Sequence, residues 1–126
     1  MPLTILIIDD SEADQFLMKY TIDQYDPAIT LYKAYDGREA LELVESQVTQ
    51  IDFAFLDINM PIMDGLEFLT AYEKLPEKRV AEIVMLTSSI REEDFERCMA
   101  FPFVKRCVSK PLDAASLEEI LSNTRS

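Results

Sequence analysis

The chain has 126 residues, a formal net charge of −12 and 48% apolar residues. This length and apolar content fit one folded domain with a single hydrophobic core. The strong negative charge argues against binding to nucleic acid or to an anionic membrane surface, because both need basic side chains. The chain has no histidine, which excludes histidine metal ligands and imidazole acid–base catalysis within it.

The first residues run directly into an apolar strand pattern without a basic segment, so no signal peptide is predicted. No apolar run approaches membrane-spanning length. The only cysteines are Cys98 and Cys107. Two thiols without a secretory signal favour a reducing compartment over a disulfide. The sequence therefore predicts a cytoplasmic protein.

The first apolar run leads into a helix that opens at Ser11. In that helix Ala13, Phe16, Leu17 and Tyr20 have helical spacing, which predicts that they form its buried face. The second run alternates between apolar and polar residues, as expected for a strand near the edge of a sheet.

The pattern of strand and helix then repeats to the end of the chain. The third run is mostly apolar and ends at Asp57, and the fourth ends at Thr87. The fourth helix is strongly charged, with Phe95, Cys98 and Met99 predicted to face inward. The predicted strands cover residues 3–8, 29–35, 51–56, 82–86 and 103–108, and the predicted helices open at Ser11, Asp36, Asp64, Ser89 and Asp113. Such alternation implies an α/β fold with a parallel sheet and helices on both faces.

Polar side chains stand at the ends of four predicted strands. Asp9 and Asp10 follow the first strand, Asp57 ends the third, Thr87 ends the fourth and Lys110 follows the fifth. Ligands bind beyond the carboxyl ends of such strands. Carboxylates that lie close together repel one another, and a hard divalent cation relieves this repulsion. An oxygen-only site favours Mg²⁺ or Mn²⁺ over zinc.

These residues together carry a resemblance to a known family. Asp9-Asp10, Asp57 with Met60-Pro61 and Asp64-Gly65, Thr87-Ser88 and Lys110-Pro111 resemble the receiver domain of two-component response regulators, of the CheY-like type. The resemblance covers residues 1–126 and implies one receiver domain without an output domain. It also implies a flavodoxin-like (βα)5 sandwich with strand order 2-1-3-4-5, an order that is typical of response regulators.

The resemblance implies a magnesium site. Asp57 and Asp10 would coordinate Mg²⁺ directly, and Asp9 would do so largely through water. The main-chain carbonyl of Asn59 would be a further protein ligand. No organic cofactor is expected.

The resemblance also implies that the protein is a phosphoacceptor rather than a classical enzyme. Asp57 would accept a phosphoryl group from a histidine kinase or phosphotransfer protein. Thr87 and Lys110 would bind phosphoryl oxygens, and the Lys110-Pro111 bond would be cis. Cys107 departs from the family pattern, because many receivers have Tyr or Phe at this position, where the ring turns inward on activation.

The expected partners are a histidine kinase or phosphotransfer protein and a downstream protein. The downstream protein would bind the surface formed by the fourth helix, fifth strand and fifth helix. Nucleic acid and membrane are not expected partners, and the expected state is a monomer or weak homodimer.

Three other functions are compatible with parts of the pattern. A pseudo-receiver would use the same fold as a phosphorylation-independent interaction module. A flavodoxin-type electron carrier would need a Ser-, Thr- and Gly-rich loop after the first strand, where Asp9-Asp10-Ser11-Glu12 stands instead. A metal-dependent hydrolase would need a second acid two residues after Asp57, where Asn59 stands.

Overall fold

Five strands alternate with five helices along the chain in the computed structural model, which describes residues 3–46, 50–58, 60, 62–87, 92–110 and 112–123. The elements are β1 (Thr4–Ile8), α1 (Glu12–Tyr25), β2 (Thr30–Ala34), α2 (Gly37–Ser46), β3 (Ile51–Asp57), α3 (Gly65–Glu73), β4 (Val80–Thr87), α4 (Glu92–Met99), β5 (Val104–Ser109) and α5 (Ala114–Asn123). Of the features predicted from sequence, Asn59, Pro61, Ser88, the Ser89 cap and Pro111 lie outside the described residues.

All neighbouring strands pair in parallel, in the order β2-β1-β3-β4-β5. This confirms the flavodoxin-like fold that the sequence predicts. The strand order changes direction between β1 and β3, so the carboxyl ends of these two strands flank the crevice in which such sheets bind ligands. β2 and β5 are the edges, as their mixed polarity predicts.

The sheet divides the hydrophobic core into two clusters, because successive side chains of a strand point to opposite faces. On β1, Ile5 and Ile7 join the cluster that α1 and α5 cover. Leu6 and Ile8 join the cluster that α2, α3 and α4 cover. Burial on both faces explains why the central strands are almost entirely apolar.

The buried face of α1 differs from the prediction. Phe16 is 67% exposed, Leu17 52% and Tyr20 59%, and Ala13 is exposed as well. The buried residues of α1 are Gln15, Met18 and Ile22. Both sets have the spacing of a helix face, so periodicity alone could not show which face packs on the sheet.

Gln15 ties the buried face of α1 to the sheet. Its Nε2 donates hydrogen bonds to the main-chain oxygens of Asp9 and Ala34, both at 3.0 Å, and of Ile7 at 3.3 Å. A buried amide is tolerated where its donors are paired. Gln15 therefore anchors the buried face of the helix beside Met18 and Ile22.

On α4 the prediction is correct in part. Cys98 is buried and Met99 packs against the core, but Phe95 is 38% exposed. No helix in the described part of the chain has both the length and the apolar character needed to cross a membrane.

Candidate functional site

Three carboxylates meet at the crevice between β1 and β3. Asp9 follows β1 and is 1% exposed, and Asp57 ends β3 and is 8% exposed. Asp10 is exposed. One carboxylate oxygen from each lies within 4.8 Å of the others. The oxygen-only donor set fits a hard divalent cation. The structure thus brings together the described residues of the predicted metal site; the fourth, Asn59, lies outside the described residues.

The end of β1 is fixed by main-chain and side-chain hydrogen bonds. The N–H of Asp9 donates to the carbonyl of Ala34 at 3.0 Å. The amide of Gln15 donates to the carbonyl of Asp9 at 3.0 Å. One carboxylate oxygen of Asp9 accepts from the N–H of Ser11 at 2.9 Å. Gln15 is a residue that sequence reasoning missed, and a glutamine at the core spacing of Met18 and Ile22 is the signal that could have revealed it.

One glycine lies against the end of β3, and a second lies against the loop that follows it. The N–H of Gly65 donates to the carbonyl of Ile58 at 2.9 Å. A Cβ at Gly65 would lie 2.8 Å from the Ile58 Cα and 3.0 Å from the main-chain oxygen of Asp57. The N–H of Gly37 donates to the carbonyl of Met63 at 3.1 Å, which a Cβ there would approach to 2.8 Å. Gly65 thus permits close backbone approach beside Asp57, and Gly37 permits it at Met63.

Gly65→Ala is expected to lower the free energy of unfolding by about 1–3 kcal/mol, because the Cβ collides with backbone atoms that cannot rotate away. Helix propensity alone predicts that the free energy of unfolding would rise, since alanine is a better helix former than glycine. Urea unfolding followed by circular dichroism measures the difference. A stabilised Gly65→Ala protein would contradict the close approach.

Lys110 connects this carboxylate cluster with α1. Its Nζ lies 2.7 Å from Asp9 Oδ2, 2.8 Å from Asp14 Oδ2 and 3.3 Å from Asp57 Oδ2. The N–H of Lys110 donates to the carbonyl of Thr87 at 3.0 Å, which holds the residue beside the end of β4. The predicted proximity of Lys110 to Asp57 is therefore present in the structure. Sequence reasoning missed the contact between Asp14 and Lys110.

Burial and neighbouring charges shift the pKa values of Asp9 and Lys110. Burial raises the pKa of Asp9, although the hydrogen bonds from Lys110 and Ser11 act in the opposite direction. Burial lowers the pKa of a lysine, but the hydrogen bonds to Asp14 and Asp9 outweigh it and raise the pKa of Lys110. Lys110 is therefore a permanent cation among carboxylates.

Thr87 ends β4 and is 5% exposed. In the sheet Leu86 pairs with Asp57, so Thr87 lies one residue beyond the level of Asp57, opposite Ser109. The threonine hydroxyl thus belongs to the same edge of the sheet as the carboxylate cluster.

Cys107 is half-buried in β5 opposite Met85. Among the nearby rings, Phe103 packs edge-on against Tyr72 with centroids 4.9 Å apart, and Phe101 lies 5.5 Å from Phe103. Both phenylalanines precede β5, at the end of the strand away from Lys110. These two rings therefore do not take the position that an aromatic residue at 107 would occupy.

The sequence matches the family described as "Response regulator receiver domain" over residues 5–122. It is 29% identical to the chemotaxis protein CheY of Treponema pallidum over 124 residues, which is 97% of this chain and 82% of that protein. It is 33% identical to the cyclic di-GMP phosphodiesterase response regulator RpfG of Xanthomonas campestris over 85 residues, or 68% of this chain. The matched part is 22% of RpfG, and the match to the nitrate/nitrite response regulator NarL of Escherichia coli covers 41% of NarL.

Solved structures share the fold over nearly whole chains. The chemotaxis response regulator CheY4 of Vibrio cholerae superposes with a TM-score of 0.81 and 27% identity, covering 98% of each chain. A two-component response regulator from Legionella pneumophila superposes with a TM-score of 0.84 at 22% identity, over 98% of each chain. The family match over nearly the whole sequence, together with the carboxylate cluster, shows that the chain belongs to the response regulator receiver domains of two-component systems.

Proposed function

We propose that this receiver accepts a phosphoryl group on Asp57 in a Mg²⁺-dependent reaction, with a histidine kinase or phosphotransfer protein as the donor. The observation that carries the proposal is the position of the Lys110 ammonium, 3.3 Å from Asp57 Oδ2 at the edge of the Asp9, Asp10 and Asp57 cluster. A carboxylate beside fixed positive charge is suited to attack phosphorus.

The reaction forms an acyl phosphate. An oxygen of Asp57 bonds to phosphorus while the bond from phosphorus to the donor nitrogen breaks, and the donor imidazole leaves with the electron pair. Phosphoryl transfer depends mainly on positioning and on neutralising the charge of the equatorial oxygens. Lys110 supplies one positive charge there, and the Thr87 hydroxyl is a hydrogen-bond donor at the end of the neighbouring strand.

Asp9, Asp10 and Asp57 would hold the metal ion, with the carbonyl of Asn59 as a further proposed ligand. When bound, Mg²⁺ supplies the remaining positive charge that phosphoryl oxygens need. The chain's own contribution is to fix the carboxylates at two strand ends before the ion arrives. The two free thiols are consistent with a reducing cytoplasm as the place of action.

The proposed output surface is formed by α4, β5 and α5. Lys105 is exposed on the edge strand β5, and Arg106 pairs with Glu82 at 3.1 Å. A protein that presents acidic side chains would find Lys105 accessible, while Arg106 is partly neutralised within the receiver.

The exposed apolar face of α1 is the proposed contact for the phosphodonor. α1 starts beside the carboxylate cluster, and Asp14 in its first turn already contacts Lys110. A donor protein that brings phosphohistidine to Asp57 must cover this part of the receiver. Phe16, Leu17 and Tyr20 offer large apolar side chains there, of the kind that dominates interfaces.

The double variant Phe16→Ser, Tyr20→Ser is expected to raise the KM for the phosphorylated donor protein by roughly tenfold or more, because two interface anchors are lost. Labelling by acetyl phosphate, which needs no protein contact, should keep its wild-type rate. Phe95→Ser on α4 is the matched control for an exposed ring elsewhere. Equal KM values for all three proteins would place the donor on another surface.

Incubation of the wild-type receiver with acetyl phosphate and Mg²⁺ tests the proposed function. Intact-protein mass spectrometry should show a single added phosphoryl group that hydroxylamine removes, and a chelator should prevent its formation. A protein that takes up no phosphoryl group from acetyl phosphate or from any histidine kinase in a phosphotransfer profile would instead be a phosphorylation-independent interaction module.

A further inference from the structure

We propose that Asp14 is a positioning residue that fixes the ammonium group of Lys110 for the reaction at Asp57; this inference rests on the proposed phosphoacceptor function. Asp14 lies in the first turn of α1, outside the set of residues that would touch Mg²⁺ or the phosphoryl group. Its effect would pass through Lys110.

The side chain of Asp14 is directed to Lys110 and not to its own helix terminus. The cap of α1 is made by Ser11, whose Oγ accepts from the N–H of Asp14 at 3.2 Å. This bond uses only the main chain of Asp14. The carboxylate instead accepts from Lys110 Nζ at 2.8 Å across a sequence separation of 96 residues. Its contact therefore joins α1 to the segment after β5.

Asp14 completes the set of acceptors around the ammonium group. A lysine ammonium has three donors. Two of them are used by the short bonds to Asp9 Oδ2 at 2.7 Å and Asp14 Oδ2 at 2.8 Å, while Asp57 Oδ2 lies farther away at 3.3 Å. The Lys110 side chain is 15% exposed, and the carboxylates of Asp9, Asp14 and Asp57 pair with its ammonium group.

The two short bonds hold the ammonium close to Asp57 without a short ion pair to it. If Asp14 is removed, Nζ keeps Asp9 as an acceptor and is attracted toward Asp57, the nearest remaining carboxylate. A shorter Lys110–Asp57 ion pair occupies an oxygen that must attack phosphorus, and it leaves Nζ misplaced for the phosphoryl oxygens. Small displacements of a positioned group reduce rates by large factors.

The test uses Asp14→Ala and, as a second variant that conserves shape, Asp14→Asn. Both keep the main-chain bond to Ser11, so the helix cap remains. Glu12→Gln is the matched control, because it removes the same charge from the same helical turn at an exposed residue that bonds to Tyr35 and not to Lys110. Asp14→Glu restores the carboxylate on a longer side chain.

The first readout is the ¹⁵N–¹H NMR signal of the Lys110 ammonium group in metal-free protein, assigned with Lys110→Met. The wild type and Glu12→Gln should show a signal protected by hydrogen bonds. Asp14→Ala should shift the signal, because Asp57 replaces Asp14 as the second acceptor of the ammonium group, and Asp14→Asn should shift it less. An unchanged Lys110 signal in Asp14→Ala would overturn the proposal, whether or not the protein is a phosphoacceptor.

The second readout is the rate of phosphorylation by acetyl phosphate at saturating Mg²⁺. Asp14→Ala should be roughly tenfold slower than the wild type, Asp14→Glu should recover part of the loss, and Glu12→Gln should be unchanged. A wild-type rate in Asp14→Ala, or an equal loss in Glu12→Gln, would refute the positioning role. If the wild type itself is never phosphorylated, the proposed function fails, and the NMR result still decides whether Asp14 fixes Lys110.

Discussion

Asp57→Asn is expected to abolish phosphorylation of the receiver. The amide nitrogen and oxygen of asparagine lack the negative charge that makes a carboxylate oxygen a nucleophile. The side chain keeps its size, so β3 and the contacts of Gly65 with its end should persist. After treatment with acetyl phosphate and Mg²⁺, the mass of the variant should remain that of the untreated protein.

Asp52→Asn provides the matched control for this experiment. Asp52 lies on the same strand, and its Oδ2 accepts from the N–H of Thr4 at 2.9 Å, remote from the carboxylate cluster. This variant should be phosphorylated to the wild-type level. Borohydride reduction converts an aspartyl phosphate to homoserine, and fragment masses then locate it. Homoserine at a residue other than Asp57, with full labelling of Asp57→Asn, would refute the assignment.

Asp10→Asn is expected to weaken Mg²⁺ binding by roughly tenfold or more, because one of a few charged oxygen ligands is lost. In the wild type Mg²⁺ should raise the melting temperature, since it binds the folded cluster and relieves carboxylate repulsion. A concentration ten times the dissociation constant should add about 1.4 kcal/mol to the free energy of unfolding. At that same concentration Asp10→Asn should gain much less.

Calorimetric titration and melting curves with and without a chelator measure both effects. Glu12→Gln serves as the control, because it removes a nearby charge that lies outside the group of three carboxylates. Its Mg²⁺ affinity should stay close to that of the wild type. Melting temperatures that do not respond to saturating Mg²⁺ in any of the three proteins would contradict a metal site here.

The residues at strand ends could be predicted from sequence because their position depends on one rule. Each apolar run ends at a polar residue, and parallel strands end at the same edge. This rule predicts that Asp9, Asp57, Thr87 and Lys110 lie at one edge, and the structure has them there. The strand order itself came from the resemblance to receivers, since alternation alone allows more than one order.

The contacts that orient these residues could not be predicted in the same way. The bonds of Gln15 and Asp14 run from α1 to distant segments, and helical spacing carries no information about such partners. For the same reason, the prediction that Phe16, Leu17 and Tyr20 form the buried face of α1 was wrong. Periodicity identifies the possible faces of a helix, whereas contacts such as those of Gln15 with main-chain oxygens belong to the packed structure.

The weak anchoring of α4 has a consequence for local unfolding. Of its eight residues only Cys98 is buried, whereas α3 buries Gly65, Phe68, Leu69 and Tyr72. Segments with few buried contacts open at a lower free energy than the rest of a domain. The amide hydrogens of α4 should therefore exchange with solvent through openings that leave the sheet intact. A helix of this kind can change its position at little cost to the stability of the whole receiver.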